Sequence, residues 1–110
     1  EETLLIVLIE DIIAINNLDE ILKVDHIDVF FVAPSDLASS MGYIGRHTEP
    51  KILDTIDKAL KKITAAERTA GTLVYDHNIA HYHNLGVRFF AAPVQKWIAD
   101  GIENLVTKSE

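Results

Sequence analysis

Short apolar segments alternate along the chain with segments in which apolar residues recur every three to four positions. Four segments rich in β-branched and aromatic residues predict strands: residues 3–9, 28–33, 72–75 and 87–92. The first is apolar almost throughout rather than alternating, which is typical of a strand buried on both faces in a parallel sheet.

The intervening segments have the periodicity of amphipathic helices. Gly71 and Gly86 directly precede the third and fourth predicted strands, where glycine often ends a helix in the left-handed conformation. The predicted order of elements is therefore β-α-β-α-β-α-β-α. The positions that carry the prediction are apolar except in the third, weaker stripe, which includes a histidine: Leu18, Ile21 and Leu22; Ile52, Ile56, Ala59, Leu60 and Ile63; Ile79, Tyr82 and His83; and Val94, Trp97, Ile98, Ile102 and Leu105.

Alternating strands and helices indicate an α/β fold with parallel strands and right-handed crossovers. Two architectures fit four such units, an open doubly wound sheet and half of a (β/α)8 TIM barrel. An isolated four-stranded parallel sheet would leave two bare edges and a thin core. We therefore expect residues 1–110 to form a single, partial barrel domain, completed by further sequence or by a partner chain.

Composition narrows the class of protein. Of the 110 residues, 48% are apolar, which is enough for a core, and the formal net charge of −7 disfavours nucleic-acid and anionic-membrane partners. The absence of Cys excludes disulfides and thiolate metal sites. Since the longest apolar run is too short to span a bilayer, we expect a soluble, cytoplasmic protein.

Carboxylates follow three of the four predicted strands. Glu10 and Asp11 follow the first, Asp36 the second and Asp76 the third. Working residues of α/β folds lie at the carboxyl ends of strands, and burial of a lone carboxylate such as Glu10 favours a neighbouring cation. Glu10 and Asp36 thus suit a hard ion such as Mg2+ or Mn2+. The alternative is that Asp36 and Asp76 are helix N-caps, and we expect Asp76 to be one.

Two further features are better explained by structural roles than by metal binding or catalysis. His77 and His81 have the spacing of metal ligands, but a zinc site would need a further ligand, and a polar helix face is the favoured interpretation. Trp97 belongs to the apolar stripe of the last predicted helix, so we expect it to serve in packing.

The segment from residue 9 to 43, IED-x4-NNLDEILKVDHIDVFFVAPSDLASSMGY, closely resembles the HpcH/HpaI aldolase family. The resemblance extends over essentially the whole chain, as the family's fifth to eighth βα units. It implies the C-terminal half of a (β/α)8 barrel and a divalent-metal-dependent aldolase. Such enzymes cleave 4-hydroxy-2-oxo acids to pyruvate and an aldehyde without a Schiff base, so a small 2-oxo acid is the implied partner.

The resemblance also assigns site residues. Glu10 and Asp36 match the family's metal ligands, for Mg2+, Mn2+ or Co2+, and the backbone amides of Ser35 and Asp36 match those that receive the pyruvate carboxylate. The family's catalytic Arg and His belong to its first half, which lies outside this sequence. Arg46, His47 and Arg88 do not match them, so the catalytic residues stay unassigned.

The chain departs from the family pattern at three places. Ala33 replaces the family's glycine before the proline, and we expect its methyl group to crowd the substrate loop. Leu8 replaces a glutamine that in the family touches substrate. After the last strand, residues 92–95 read Ala-Pro-Val-Gln where the family has Gly or Ser followed by Asp.

Exposed strand edges predict self-association. A monomer would leave the first and fourth strands unpaired, whereas two copies related by a two-fold axis would close eight strands into a barrel. The last apolar stripe offers a further contact, so we expect a homo-oligomer, most simply a dimer. A truncated or degenerate half-barrel with little or no catalysis is the alternative function. A small signalling domain is disfavoured because no lysine directly follows the third or fourth strand.

Overall fold

A computed structural model describes residues 2–109, in which four strands and six helices follow one another. The predicted alternation is confirmed, with short additional helices after the first two strands. The elements are β1 (Ile6–Ile9), α1 (Ile12–Asn16), α2 (Leu18–Ile21), β2 (Val29–Val32), α3 (Pro34–Ser40), α4 (Pro50–Ala65), β3 (Ala70–Leu73), α5 (Ile79–Asn84), β4 (Phe89–Ala91) and α6 (Val94–Lys108).

The four strands form one parallel sheet in the order β1-β2-β3-β4. Sequential order with right-handed crossovers places every connecting helix on the same face of the sheet, as in a barrel. A doubly wound sheet instead reverses its strand order and has helices on both faces. The structure therefore confirms the half-barrel, and the doubly wound alternative is wrong.

The hydrophobic core lies between the helices and the convex face of the sheet. Phe30 and Val32 of β2 and the predicted α4 stripe are buried there. The stripe meets the sheet because its residues recur on one side of a 16-residue helix, which begins with Pro50 in its first turn. The prediction for α4 is confirmed, and this helix is the main cover of the sheet.

The concave face of the sheet has no covering layer within residues 2–109. Leu8 of β1 is 54% exposed, and Phe31 packs edge-to-face against Phe89 with ring centroids 6.3 Å apart. The prediction that the first strand is buried on both faces is wrong for this chain. The reason is that β1 is an edge strand of half a barrel, so only its convex side, with Ile9, reaches a core.

Gly71 does not end a helix, contrary to the prediction. It lies inside β3, where an added Cβ would come within 3.0 Å of the Phe31 ring and 3.2 Å of the Phe89 ring. The chain turns after α4 at Glu67 instead, with φ of 59°. Gly86, with φ of 99°, does adopt the left-handed conformation expected before β4.

Helix α6 is exposed along its length. Trp97 is 52% exposed, so the expectation that it serves in packing is wrong within this chain.

The radius of gyration is 16.0 Å, against about 13 Å for a compact domain of this length. Within residues 2–109, none of the helices combines the length and hydropathy that a membrane span requires.

Candidate active site

Glu10 directly follows β1 at the carboxyl end of the sheet. Ile9 is buried in the core and Leu8 faces the concave side. If the alternation of side chains continues one residue beyond β1, Glu10 faces the concave side as well. Glu10 is half-buried, as expected for a residue that ends an apolar strand. The neighbouring Asp11 instead caps α1, because its Oδ1 accepts a 2.7 Å hydrogen bond from the Ala14 amide.

Asp36 lies in the first turn of α3, the helix that follows β2. The N-cap of this helix is Ala33 and Pro34 is its first residue, so Asp36 is not the N-cap residue and the alternative interpretation is wrong. The Asp36 side chain is exposed, and a carboxylate in the first turn is favoured by the helix dipole. The amides of Ser35 and Asp36 have no acceptor within the helix, because they belong to its first turn.

The pairing of β1 with β2 brings the two segments together. Ile9 is level with Val32, and the Ala33 amide donates a 3.0 Å hydrogen bond to the Ile9 carbonyl, which extends the ladder beyond the strands. Glu10 and Asp36 therefore leave adjacent strand ends at the same edge of the sheet. Within residues 2–109, neither carboxylate has an ion pair or a side-chain hydrogen bond.

Two unpartnered carboxylates at one edge fit a hard divalent cation. Such ions, Mg2+ above all, retain several waters and often take one or two protein carboxylates. Nothing in the described part of the chain assembles three or more His, Asp or Glu side chains around a metal position. The fit therefore rests on Glu10 and Asp36, with water and substrate oxygens as the remaining ligands.

Asp76 does not cap the helix that follows β3, and this prediction is wrong. The cap position of α5 is Asn78, whose Oδ1 accepts a 2.8 Å hydrogen bond from the Tyr75 amide. Asn competes with Asp for such turns because both have a short side chain with an acceptor oxygen. Asp76 is left exposed, in the same turn.

A separate cavity of about 490 Å3 lies beside α4 and α5. Its lining includes His47, His77 and His81 but neither Glu10 nor Asp36, so it is distinct from the carboxylate pair. No pattern in the sequence indicates this cavity, because its walls come from loops and helices that are far apart along the chain.

Two histidines of this cavity, His77 and His81, have ordinary partners. His81 Nε2 lies 2.9 Å from Asp57 Oδ2, and the His77 ring stacks on Tyr75 with centroids 5.6 Å apart. His81 lies on α5, as the interpretation as a polar helix face expects, whereas His77 lies in the turn before that helix. Burial, with the nearby Asp57 charge as the second cause, raises the pKa of Tyr82 above its ordinary value of 10.0.

The two unassigned arginines have structural roles. Arg46 lies over the Tyr43 ring, 5.1 Å from its centroid, in the loop after α3. Arg88 donates to the carbonyls of His83 and Val87 at 3.1 and 2.8 Å. Neither interaction involves Glu10 or Asp36.

Ala33 has an extended backbone, with φ of −97° and ψ of 105°, which any residue adopts. The substitution of glycine by alanine therefore imposes no backbone strain, and Ala33 serves as the N-cap residue of α3.

The fold and the paired strand ends define a half (β/α)8 barrel with a candidate metal site at the carboxyl edge of its sheet. The family model described as HpcH/HpaI aldolase/citrate lyase matches residues 1–105. The chain belongs to this family.

Relatives and solved structures agree with this assignment. The hydroxypyruvate/pyruvate aldolase of Cupriavidus necator is 41% identical over 95 residues, which is 86% of this chain and 35% of that protein. The 4-hydroxy-2-oxo-heptane-1,7-dioate aldolase of Salmonella paratyphi B is 36% identical over 97 residues, 86% of this chain and 37% of that protein. The chain thus spans little more than a third of the length of these relatives.

The crystal structure of an HpcH/HpaI aldolase/citrate lyase family protein from Burkholderia cenocepacia superposes with a TM-score of 0.87 at 22% identity. The match covers 98% of this chain and 43% of that protein, which is what half a barrel should cover.

Proposed function

We propose that this chain supplies the metal-binding half of a divalent-metal-dependent aldolase that cleaves 4-hydroxy-2-oxo acids to pyruvate and an aldehyde. The observation that carries the proposal is the pair of unpartnered carboxylates, Glu10 and Asp36, at adjacent strand ends. Family membership supports it, as do the names of the relatives, both of which are aldolases.

The roles of the residues follow from their positions. Glu10 and Asp36 would hold the ion, and the free amides of Ser35 and Asp36 would receive the substrate carboxylate at the start of α3. A bound divalent ion polarises the carbonyl of a 2-oxo acid and stabilises the negative charge that develops there as the carbon–carbon bond breaks. The half-buried setting of Glu10 strengthens its attraction to a cation.

The concave face sets the surroundings of this site. Leu8 lies two residues before Glu10 on the same face, and Phe31 is level with it on β2. Both side chains are apolar, so the wall below the carboxylate pair offers no hydrogen bond to substrate. Polar contacts to the substrate must then come from the loops at the strand ends or from the other half of the barrel.

A coupled assay for pyruvate release from a 4-hydroxy-2-oxo acid with Mn2+ tests this proposal. We expect metal-dependent release, lost in Glu10→Gln and retained in Glu20→Gln. The Glu20 carboxylate is exposed and pairs with Lys23, which follows α2 within the same connection. Turnover should stay below the ordinary enzyme range of about 1–1000 per second, because the catalytic Arg and His that the family resemblance implies belong to the half of the barrel outside this sequence. Release no faster than with free metal would contradict the aldolase assignment for this chain.

A second candidate function is assembly of the half-barrel into a homo-oligomer with little catalysis. The exposed stripe of α6 favours it, with Trp97 and Ile102 52% and 58% exposed. The concave face and the free edges of β1 and β4 favour it as well, because a second copy would cover all three. Two copies joined through these edges would form an eight-stranded barrel.

Light scattering at low micromolar concentration tests assembly. We expect a dimer or larger species, weakened by Ile102→Asp and unchanged by the control Ile44→Asp, which lies 79% exposed in the loop after α3. A stable monomer of 12.3 kDa would contradict this account. Assembly without any metal-dependent pyruvate release would favour the second candidate function over the first.

A further inference from the structure

Two hydrogen bonds join the turn that carries Glu10 to the segment that carries Asp36. The first is the bond from the Ala33 amide to the Ile9 carbonyl. The second runs from the Ile12 amide to the Ser40 hydroxyl oxygen over 3.0 Å. Glu10 lies between the two anchored residues, so the turn is held on both sides of its carboxylate.

Ser40 is well arranged to accept this bond. It is the last residue of α3, and its hydroxyl donates a 2.9 Å hydrogen bond to the Leu37 carbonyl, which leaves a lone pair on Oγ for the Ile12 amide. Ile12 is the first residue of α1, so its amide has no acceptor within that helix. The Ser40 side chain thus satisfies a donor that the helix itself cannot satisfy.

The position of Ser40 couples it to Asp36. The two residues are four apart in α3, so they lie on the same side of the helix, one turn above the other. One face of α3 therefore carries both the Asp36 carboxylate and the anchor of the Glu10 turn. Any shift of that turn relative to α3 changes the separation of the two carboxylates.

We infer that Ser40 is a positioning residue that fixes the Glu10 turn against α3 and so sets the geometry of the carboxylate pair. This inference rests on the proposed function, because it assigns Ser40 a part in holding the ion. Ser39 is the natural comparison. Its hydroxyl donates over 3.1 Å to the Ser35 carbonyl, within α3, and does not reach the turn.

Two measurements on the 110-residue chain test the role of Ser40. The first is the hydrogen-exchange rate of the Ile12 amide without metal, and the second is Mn2+ affinity by calorimetric titration. In Ser40→Ala we expect exchange about 3–10 times faster, the effect of one net hydrogen bond. We expect Mn2+ affinity about tenfold lower, as for loss of other groups that orient metal ligands. Ser40→Thr, which keeps the hydroxyl, and Ser39→Ala should stay within about twofold of the parent, the range of substitutions that leave a site intact.

Each contrary outcome has a distinct meaning. Unchanged exchange of the Ile12 amide in Ser40→Ala would show that the tether does not exist and would overturn the inference. Faster exchange with unchanged Mn2+ affinity would overturn the positioning role while leaving the proposed function intact. An equal loss of affinity in Ser39→Ala would assign the effect to α3 as a whole and would also overturn the inference. No Mn2+ binding by the parent would contradict the proposed function itself.

Discussion

Replacement of Arg68 by methionine should destabilise the half-barrel by more than is usual for a side chain that is not fully buried. Its guanidinium donates to three backbone carbonyls of the connection between α2 and β2, those of Leu22, Val24 and Ile27, at 3.0 and 3.1 Å for the last two. It also lies over the Phe30 ring, 4.6 Å from the centroid. One side chain thus stabilises the segment that leads into β2, one of the two inner strands.

The magnitude follows from these contacts. A net hydrogen bond to a charged group contributes about 1.5–3 kcal/mol, and a cation–π contact about 0.5–1 kcal/mol at an exposed site. The full sum does not apply, because Arg68 is half-buried and water can reach the released carbonyls. We expect a loss of about 2–3 kcal/mol for Arg68→Met, a shift in melting temperature of roughly 8–12 °C at this chain length. Arg68→Lys, with one ammonium for three carbonyls, should lose about half as much.

Urea unfolding followed by circular dichroism measures this loss. Arg46→Met is the matched control, because Arg46 also lies over an aromatic ring but its other contact is a 3.6 Å ion pair with Glu49 at the surface. Arg46→Met should cost about 1 kcal/mol or less, because both of its contacts are exposed to solvent. Equal midpoints for Arg68→Met and Arg46→Met would refute the assignment of stability to the carbonyl clamp.

Two further predictions concern packing and pH. Gly71→Ala should lower the free energy of unfolding by about 1–3 kcal/mol, because the added Cβ would press on the Phe31 ring. Gly101→Ala has open space around it in α6 and should leave the free energy of unfolding unchanged or raise it by up to about 1 kcal/mol. The midpoints of urea unfolding compare the two variants. Burial and the Asp57 charge raise the pKa of Tyr82 above 10.0, so the folded state retains the phenolic proton to higher pH than the unfolded state does. The stability that the protonated Tyr82 side chain contributes is therefore present below pH 10 and is lost as the pH rises further. Unfolding free energy measured between pH 9 and 11.5 should fall less steeply in Tyr82→Phe than in the parent, and equal slopes would contradict this.

The order of elements was predictable because it depends on local periodicity. The α4 stripe from Ile52 to Ile63 recurs at helical spacing, and its burial follows from that spacing alone. The exposure of β1 does not follow from its own residues, which are as apolar as in a complete barrel. It follows from the half-barrel, in which β1 is an edge strand of four. The same apolar pattern therefore produced an exposed Leu8.

Details of the strand ends depend on tertiary contacts that the sequence does not display. Gly71 was expected to end a helix, but its real constraint is the space taken by two phenylalanine rings from neighbouring strands. Asn78 rather than Asp76 occupies the N-cap position of α5. Because Asn and Asp have similar turn propensities, the sequence alone does not show which of the two residues takes this position. Ser40 offered one usable signal, its spacing of four residues from Asp36, but its bond to Ile12 joins residues 28 apart in sequence.

The central claim is that Glu10 and Asp36 together bind a divalent cation. Calorimetric titration with Mn2+ of the parent, Glu10→Gln, Asp36→Asn and the surface control Glu20→Gln tests it most directly. We expect affinity to fall at least tenfold in the first two variants, since each loses a charged ligand of the ion, and to be unchanged in the control. Equal Mn2+ affinity in all four proteins would contradict the account.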